Sequence, residues 1–454
     1  MNFSVPMPKQ LAILAWSLLG LLLVLFGGIQ VECFLRAADM DVRIYYDAAM
    51  ALRTGQDMFA AWNPNHPLTY IYPPLLAIIF LPLTYLSLEL AAVVWTVINV
   101  VLLFLCLVIG GKEVMRRADG RLDIATLPVI LLCTFLYFTS RIKAELDQGQ
   151  VDFLVLLGVT LGLVWLRRKP FLCGLVLGIV ANIKYQTVIF LPYFVVRGWW
   201  QSAVGFVVGA VVAAFSGSLV MGWDLNLEYL QRAFSGVSEL FGFTYESEDK
   251  PMIFPTEWVE SVSLTSTFAR WSLAAGWGET GGLVLLLLSA LVCLVIGWML
   301  YASTGNAPFR GRSGRAGRSD SDQGVLVLVE WTGLMVAAIV FAPQTKMRHL
   351  AVLVLVIIFM FQLLVVSRPG VPRWPLLLSA VLFLLAMLLP LQGGEGDWRN
   401  AQGMNMREVW RAQGGPIWCL LLMYFTMSWT ALKWVSLARP GDRSGGSTVA
   451  ALQS

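Results

Sequence analysis

Residues 39–74 read DMDVRIYYDAAMALRTGQDMFAAWNPNHPLTYIYPP. This polar and aromatic run stands between two long apolar segments. It carries Asp39, Asp41, Asp47 and Asp57 together with His66, one of two histidines in the chain. Within it, DVRIYYDAA has helical spacing, with Ile44, Ala48 and Ala51 on one side and Arg43 and Asp47 on another. Such a pattern suits a short amphipathic helix lying on a membrane surface. The run closes on a rigid step at Tyr72, Pro73 and Pro74. The stretch reads as a loop that holds reaction chemistry, carried between helices that cross a membrane.

Composition agrees with that setting. Of 454 residues, 58% are hydrophobic and 13% charged, and mean hydropathy is +0.72. Soluble domains carry about 25% charged residues, so a soluble fold is excluded. Eighteen Trp and 12 Tyr fit many crossings of a membrane interface. The net charge of +4 is spread over segment ends, which argues against nucleic-acid binding. Cys106, Cys133, Cys173, Cys293 and Cys419 fall in apolar segments and only Cys33 lies near a loop. Without a CxxC pair, they read as small core residues. The run after Lys9 is too long for a signal-peptide core and reads as a first, uncleaved transmembrane helix.

Apolar runs long enough to span fall at 11–29, 72–88, 90–110, 124–140, 151–167, 171–196, 201–222, 282–302, 324–342, 349–366, 374–391 and 415–436. The expected fold is therefore all-α and polytopic, with about twelve transmembrane helices and a large first outer loop carrying interfacial helices. Residues 1–437 form one transmembrane domain in this reading, with a disordered cytoplasmic loop at 303–323 and a disordered cytoplasmic tail at 438–454. Arg310, Arg312, Arg315 and Arg318 place 303–323 in the cytoplasm, as Arg439 and Arg443 place the tail, and Lys9 agrees. Counting then puts the first loop, 223–281, the turn before His349 and 392–414 outside. Lys112, Arg116, Arg117, Arg121 and Arg167 to Lys169 conflict with simple counting. One repair has 72–88 dip in and return while 171–196 forms two half-helices broken at Lys184.

Three features could carry chemistry. Asp41 can act as a general base toward an acceptor hydroxyl, whereas its neighbouring acids read as solvating an interfacial helix. His349 closes the turn APQTKMRHL, where Lys346, Arg348 and His349 crowd together as either a site or an ordinary charged turn. Lys184 sits in an apolar segment at a cost of about 2.5–3.5 kcal/mol, so it faces a cavity and suits a phosphate, or else snorkels or pairs with an acid such as Glu145. The segment RIKAELDQGQVDF places Glu145 and Gln150 at a helix mouth, as the lip of the same site or as a plain turn. His66, among prolines and asparagines, reads as part of a turn. No Walker loop, zinc pattern or GxSxG is present in the sequence, so nucleotide-driven transport and serine hydrolysis lose support.

In chain order the motifs are D-x-x-x-Y-Y-x-A-A-x-A-L-x-x-G-x-D from Asp41, Y-x-Y-P-P-L from Tyr70, Gly149 with Gln150, and Gly174, Gly178 and Lys184. S-x-S-L from Ser261 and A-P-x-x-x-x-x-H ending at His349 complete the set. Together they resemble glycosyltransferase family 87, polytopic enzymes of the GT-C type that include polyprenol-phosphate-mannose-dependent mannosyltransferases. The resemblance implies transfer of a sugar, often mannose, from a polyprenyl-phosphate carrier to a lipid or glycan hydroxyl outside the cytoplasm, with inversion. It implies a multi-pass cell-membrane enzyme with a lipid-linked sugar donor; no cofactor and no metal ligands are assigned, and whether a metal assists is left open by the sequence. Carried over, Asp41 and His349 are the catalytic pair, one as base and the other orienting the acceptor. Lys184, helped by Arg348 or Lys346, neutralises the departing phosphate, and Tyr45, Tyr46, Tyr72, Gln150 and Glu145 line the substrate. The rival reading is a transporter or lipid-linked-sugar flippase, and a glycan ligase or polymerase is a third.

Overall fold

A computed structural model describes residues 8–36, 40–59, 70–119, 125–240, 255–306, 320–366, 369–388 and 403–437. Asp39, His66, most of the arginine-rich loop and the C-terminal tail lie outside the described residues. Among those described, helices account for nearly all of the structure and there is no β-strand. The first half comprises α1 (Lys9–Arg36), α2 (Asp41–Thr54), α3 (Pro74–Phe80), α4 (Leu88–Asp119), α5 (Leu127–Gln148), α6 (Asp152–Trp165), α7 (Pro170–Ala181), α8 (Phe190–Val196) and α9 (Trp200–Phe215). The second comprises α10 (Ser218–Met221), α11 (Trp223–Leu240), α12 (Leu264–Ala274), α13 (Gly278–Ser303), α14 (Asp320–Val340), α15 (Val354–Val365), α16 (Trp374–Leu388), α17 (Met406–Ala412) and α18 (Gly415–Leu437).

Where described, all twelve apolar runs form helix, and they divide into two kinds. Among the described residues eight helices are long and apolar enough to cross a membrane; the runs at 72–88, 151–167, 171–196 and 374–391 give shorter helices. The run at 72–88 becomes α3 followed by a 3₁₀ turn, Leu81–Tyr85, because Pro82 cannot continue the helix of Pro74–Phe80. The run at 171–196 breaks after α7, crosses Asn182 to Lys184 in non-helical backbone, and resumes as the 3₁₀ segment Tyr185–Ile189 and then α8. Carbonyls freed at the end of α7 find local donors. Asn182 Nδ2 donates to Gly178 O at 3.2 Å and to Ala210 O at 3.0 Å, and Thr187 Oγ1 donates to Leu177 O at 3.0 Å. The arginine-rich loop is shorter than 303–323, since α14 already begins at Asp320.

These interruptions resolve the charge conflict. Ser202 bonds the Pro170 carbonyl and Asn182 the Ala210 carbonyl, so α7 and α9 run parallel and 185–196 must lead back to the starting end. The two helices touch through glycine. A Cβ on Gly174 would lie 1.9 Å from the Ser202 carbonyl, and one on Gly178 would lie 2.0 Å from that of Phe206. Arg117 Nη2 donates to Leu163 O at 2.6 Å and Arg167 Nη2 reaches Gln323 Oε1 at 3.4 Å. The basic ends of α4 and α6 and the start of α14 therefore share one end of the bundle, opposite Asp41.

Candidate active site

The site grows from the sharp corner between α5 and α6. Gly149 caps α5 at φ +61°, and a Cβ there would lie 2.7 Å from Val42 Cβ, so glycine admits α2 against the corner. Trp95 Nε1 holds the Gly149 carbonyl at 2.8 Å. On the far side of the corner, Asp152 opens α6, and its N–H donates to Glu145 Oε1 at 2.8 Å. A carboxylate at each of these positions is favoured by the amino end of α6.

Asp41, first residue of α2, turns its buried carboxylate toward this corner. Its Oδ2 lies 2.6 Å from Arg348 Nη2 and accepts a further bond from Gln150 Nε2. Gln150 Oε1 in turn accepts from the Tyr45 hydroxyl at 2.8 Å, and Tyr45 and Tyr72 meet edge to face with hydroxyls 3.5 Å apart. Burial, and then Tyr72 beside it, raise the Tyr45 pKa well above its ordinary value, and burial raises that of Tyr72, so both remain neutral hydroxyls. Tyr46 goes elsewhere. Adjacent helical residues point about 100° apart, and its hydroxyl donates to Leu86 O at 2.7 Å, away from the cluster. Arg43 and Asp47 pair at 3.3 Å along the exposed side of α2, as an interfacial helix requires.

Lys184, at the break in the α7–α8 hairpin, is not unpaired, and its partner is not Glu145. Its ammonium pairs with Asp152, a residue that the motifs did not mark. The signal was there in principle: a lone lysine in one apolar run asks for an acid at equal depth in another, and Asp152 opens the next run back. Glu145 stands against Asp152 and completes a group of one cation and two fully buried carboxylates.

The third wall is the turn before α15. Here two distant motifs meet: Ser266 Oγ donates to Pro343 O at 3.0 Å, Thr345 N donates to Ser261 Oγ at 3.0 Å, and Val262 N donates to Thr345 O at 2.8 Å. Ser261 of S-x-S-L and Ser266 just beyond it thus pin the turn that presents Lys346, Arg348 and His349. The Lys346 N–H donates to His349 Nδ1 at 3.4 Å, which leaves Nε2 to carry the proton of the neutral ring. Lys346 lies over the Trp258 ring at 4.3 Å, and burial, followed by repulsion from Arg348, pushes its pKa down to about 8.

Asp41, Tyr45, Tyr72, Glu145, Gln150, Lys184, Lys346, Arg348 and His349 therefore converge on one end of the bundle, joined by Asp152 and without Tyr46. Three buried polar atoms in this group have no partner among the described residues: Arg348 Nε, Glu145 Oε2 and Asp152 Oδ2. Among the described residues no group of three or more His, Cys, Asp or Glu is arranged to hold a metal. The arrangement offers a buried carboxylate paired with Arg348, in one cluster with the Lys184–Asp152 pair. That suits proton removal beside a developing phosphate charge.

Comparison with known proteins follows the same lines. The model described as Glycosyltransferase family 87 matches residues 70–317, a range that includes Tyr72, Glu145, Gln150 and Lys184 but neither Asp41 nor His349. The polyprenol-phosphate-mannose-dependent alpha-(1-2)-phosphatidylinositol mannoside mannosyltransferase of Mycobacterium tuberculosis (strain ATCC 25618 / H37Rv) is 28% identical over 202 residues, 42% of this chain and 47% of the relative. Its namesake in Mycolicibacterium smegmatis (strain ATCC 700084 / mc(2)155) is 27% identical over 206 residues, 42% and 46% respectively. A polyprenol-phosphate-mannose-dependent alpha-(1-2)-phosphatidylinositol pentamannoside mannosyltransferase from the latter organism is 25% identical over 283 residues, 57% of this chain and 65% of the relative. The chain spans about half the length of the first two relatives it matches. No solved structure matches it.

Proposed function

The chain belongs to glycosyltransferase family 87, and from this we propose that it moves a mannosyl group from polyprenyl-phosphate mannose to a hydroxyl of a membrane glycolipid. The observation that carries the reading is the buried Asp41–Arg348 pair beside Lys184, with polar atoms left for a ligand to satisfy. Arginine-rich loops at the opposite end favour a cytoplasmic location there, so the reaction faces outside the cytoplasm in the cell membrane.

In this mechanism the acceptor oxygen attacks the anomeric carbon from the face opposite the phosphate, which inverts it. The new C–O bond forms as the bond to the phosphate oxygen breaks, and its electron pair leaves with the polyprenyl phosphate. Asp41 takes the acceptor proton. His349 is the weaker base, because its Nδ1 lone pair already accepts the Lys346 N–H; its Nε2–H orients the acceptor instead. Lys184 and Arg348, with Lys346 beside them, meet the charge growing on the phosphate. As Arg348 turns toward that phosphate it loosens from Asp41 and frees the carboxylate to accept a proton. A phosphate-linked sugar is already activated, so no nucleotide site is required.

The test is transfer of radiolabel from polyprenyl-phosphate mannose to phosphatidylinositol mannoside by purified protein in liposomes. Transfer by wild type that is lost in Asp41→Asn and Lys184→Met, with both variants folded, is the expected result. Wild-type protein that transfers neither mannose nor another lipid-linked hexose overturns the proposal.

A further inference from the structure

Asp41 and Tyr45 stand four residues apart on α2, so they share one face of that helix. A single amide meets both. Tyr45 donates its hydroxyl to Gln150 Oε1 at 2.8 Å, and Gln150 Nε2 donates to Asp41 Oδ2. The amide comes from the corner between α5 and α6, where the Gln150 N–H donates to Glu145 O at 3.3 Å and that of Gly149 to Leu146 O at 3.0 Å. On the other side of Gly149, Gln148 Oε1 accepts from Arg348 Nη1 at 3.0 Å. The corner therefore sets one glutamine on each member of the Asp41–Arg348 pair.

An amide carries donors on one arm and an acceptor on the other, so its orientation decides what it offers a carboxylate. Turned over, Gln150 would set an oxygen against Asp41, two acceptors with no proton between them. The Tyr45 hydroxyl opposes that turn, because in donating it asks for the oxygen. Its ring is locked: it is 1% exposed and meets Tyr72 and Phe80 edge to face, with centroids 5.6 and 5.3 Å away. Gln150, at 2% exposure, has both arms engaged, which places it poorly to read a substrate. Arg348 and Gln150 both bind Oδ2 of Asp41. Oδ1 takes no bond among the described residues, so it is the oxygen left to receive a proton.

We propose that Gln150 is a positioning residue that aims Asp41 Oδ1 at the acceptor hydroxyl, and that Tyr45 holds its amide in the one useful orientation. This replaces the substrate-lining role that the family resemblance implies for both residues. The inference rests on Asp41 as the base and deepens that reading. When Arg348 turns toward the phosphate, the Gln150 bond keeps the carboxylate from following it.

The experiment compares wild type with Gln150→Leu, Tyr45→Phe, their double variant and Gln150→Glu, as purified full chains in liposomes. Gln150→Leu should lower kcat for mannosyl transfer about ten- to a hundredfold, and Tyr45→Phe about three- to tenfold, with KM for donor and acceptor nearly unchanged. Because Tyr45 acts through Gln150, the double variant should be no slower than Gln150→Leu alone. Gln150→Glu keeps the shape and the acceptor for Tyr45 but sets a second carboxylate against Asp41, so it should be as slow as Gln150→Leu. A rise in either KM with kcat retained makes the two residues substrate contacts and overturns the proposal. Additive losses in the double variant, or wild-type kcat in Gln150→Glu, also overturn it. The infrared carboxylate band of Asp41, taken as wild type minus Asp41→Asn, reads its hydrogen bonds without substrate. It should shift in Gln150→Leu and Tyr45→Phe and stay in place in Tyr46→Phe, whose hydroxyl donates to Leu86 O. If those shifts appear while wild type transfers nothing, the catalytic reading has failed and the positioning stands. A band unmoved in both variants removes the positioning role even if transfer occurs.

Discussion

Arg197–Glu330 and Asp41–Arg348 are both ion pairs buried in the bundle, and they differ in how completely they are satisfied. Glu330 Oε2 accepts from Arg197 Nε at 2.9 Å and again from its Nη2, and takes the Tyr193 hydroxyl at 2.8 Å. The guanidinium also lies 5.3 Å from the centre of the Trp199 ring. This is a closed network that ties α8 to α14. Around Asp41, by contrast, Arg348 Nε, Glu145 Oε2 and Asp152 Oδ2 are buried without partners among the described residues. Buried polar atoms normally find partners, and these three, among fifteen such atoms in the described residues, are the ones that stand on charged groups; in the proposed function a ligand completes them. In the proposed function one pair holds the fold and the other serves the substrate.

The sharpest way to break this comparison is to remove charge at each pair without changing shape. Asp41→Asn should lower kcat by about 10²–10⁴-fold, the range for a general base, while the protein folds normally. Loss of folding together with activity would make Asp41 structural. Arg197→Met, which strands the Glu330 carboxylate, should instead destabilise the protein by about 3–5 kcal/mol in thermal or denaturant unfolding. Arg197→Met combined with Glu330→Leu should recover most of that loss. If Arg197→Met abolishes turnover in protein of wild-type stability, the division between the two pairs is wrong.

Lys184 sits between these extremes, because it has a partner but one whose second oxygen is free. Lys184→Met should raise donor KM or lower kcat/KM for the donor by about ten- to a hundredfold, the worth of a charged hydrogen bond to phosphate. Asp152→Asn should act in the same direction and more weakly, since it misplaces the ammonium without removing it. An Asp152→Asn protein with unaltered donor kinetics would reduce the pair to packing.

How much of this could be read in advance follows from the range of each interaction. The apolar runs, the interfacial helix at Asp41 and the break at Lys184 are local matters of periodicity and buried charge, so they were legible. The convergence of Asp41, Lys184 and His349 came from motif resemblance; nothing in their spacing required it. Asp152 escaped because an acid in the first turn of a helix has an ordinary local explanation, and only three dimensions bring it to Lys184. Tyr46 was over-read because a motif lists residues without their helical angle.

The mildest effect concerns Lys346, and it sharpens the comparison by pH. A free lysine holds its proton to about 10.4, whereas burial and Arg348 bring Lys346 down to about 8. Two consequences have opposite signs. The desolvated ammonium costs the fold stability at pH below 8, and that cost fades as pH rises toward the free-lysine value. Donor binding runs the other way, because the ammonium that attracts the phosphate is lost as pH rises through 8. The expected outcome is a few-fold decline in kcat/KM for the donor above that pH, with kcat/KM for the acceptor less affected. Lys346→Arg, charged throughout this range, should flatten the limb, while Arg197→Met should leave its midpoint where it was. A limb that persists unchanged in Lys346→Arg would assign the titration to another group and take Lys346 out of the donor site.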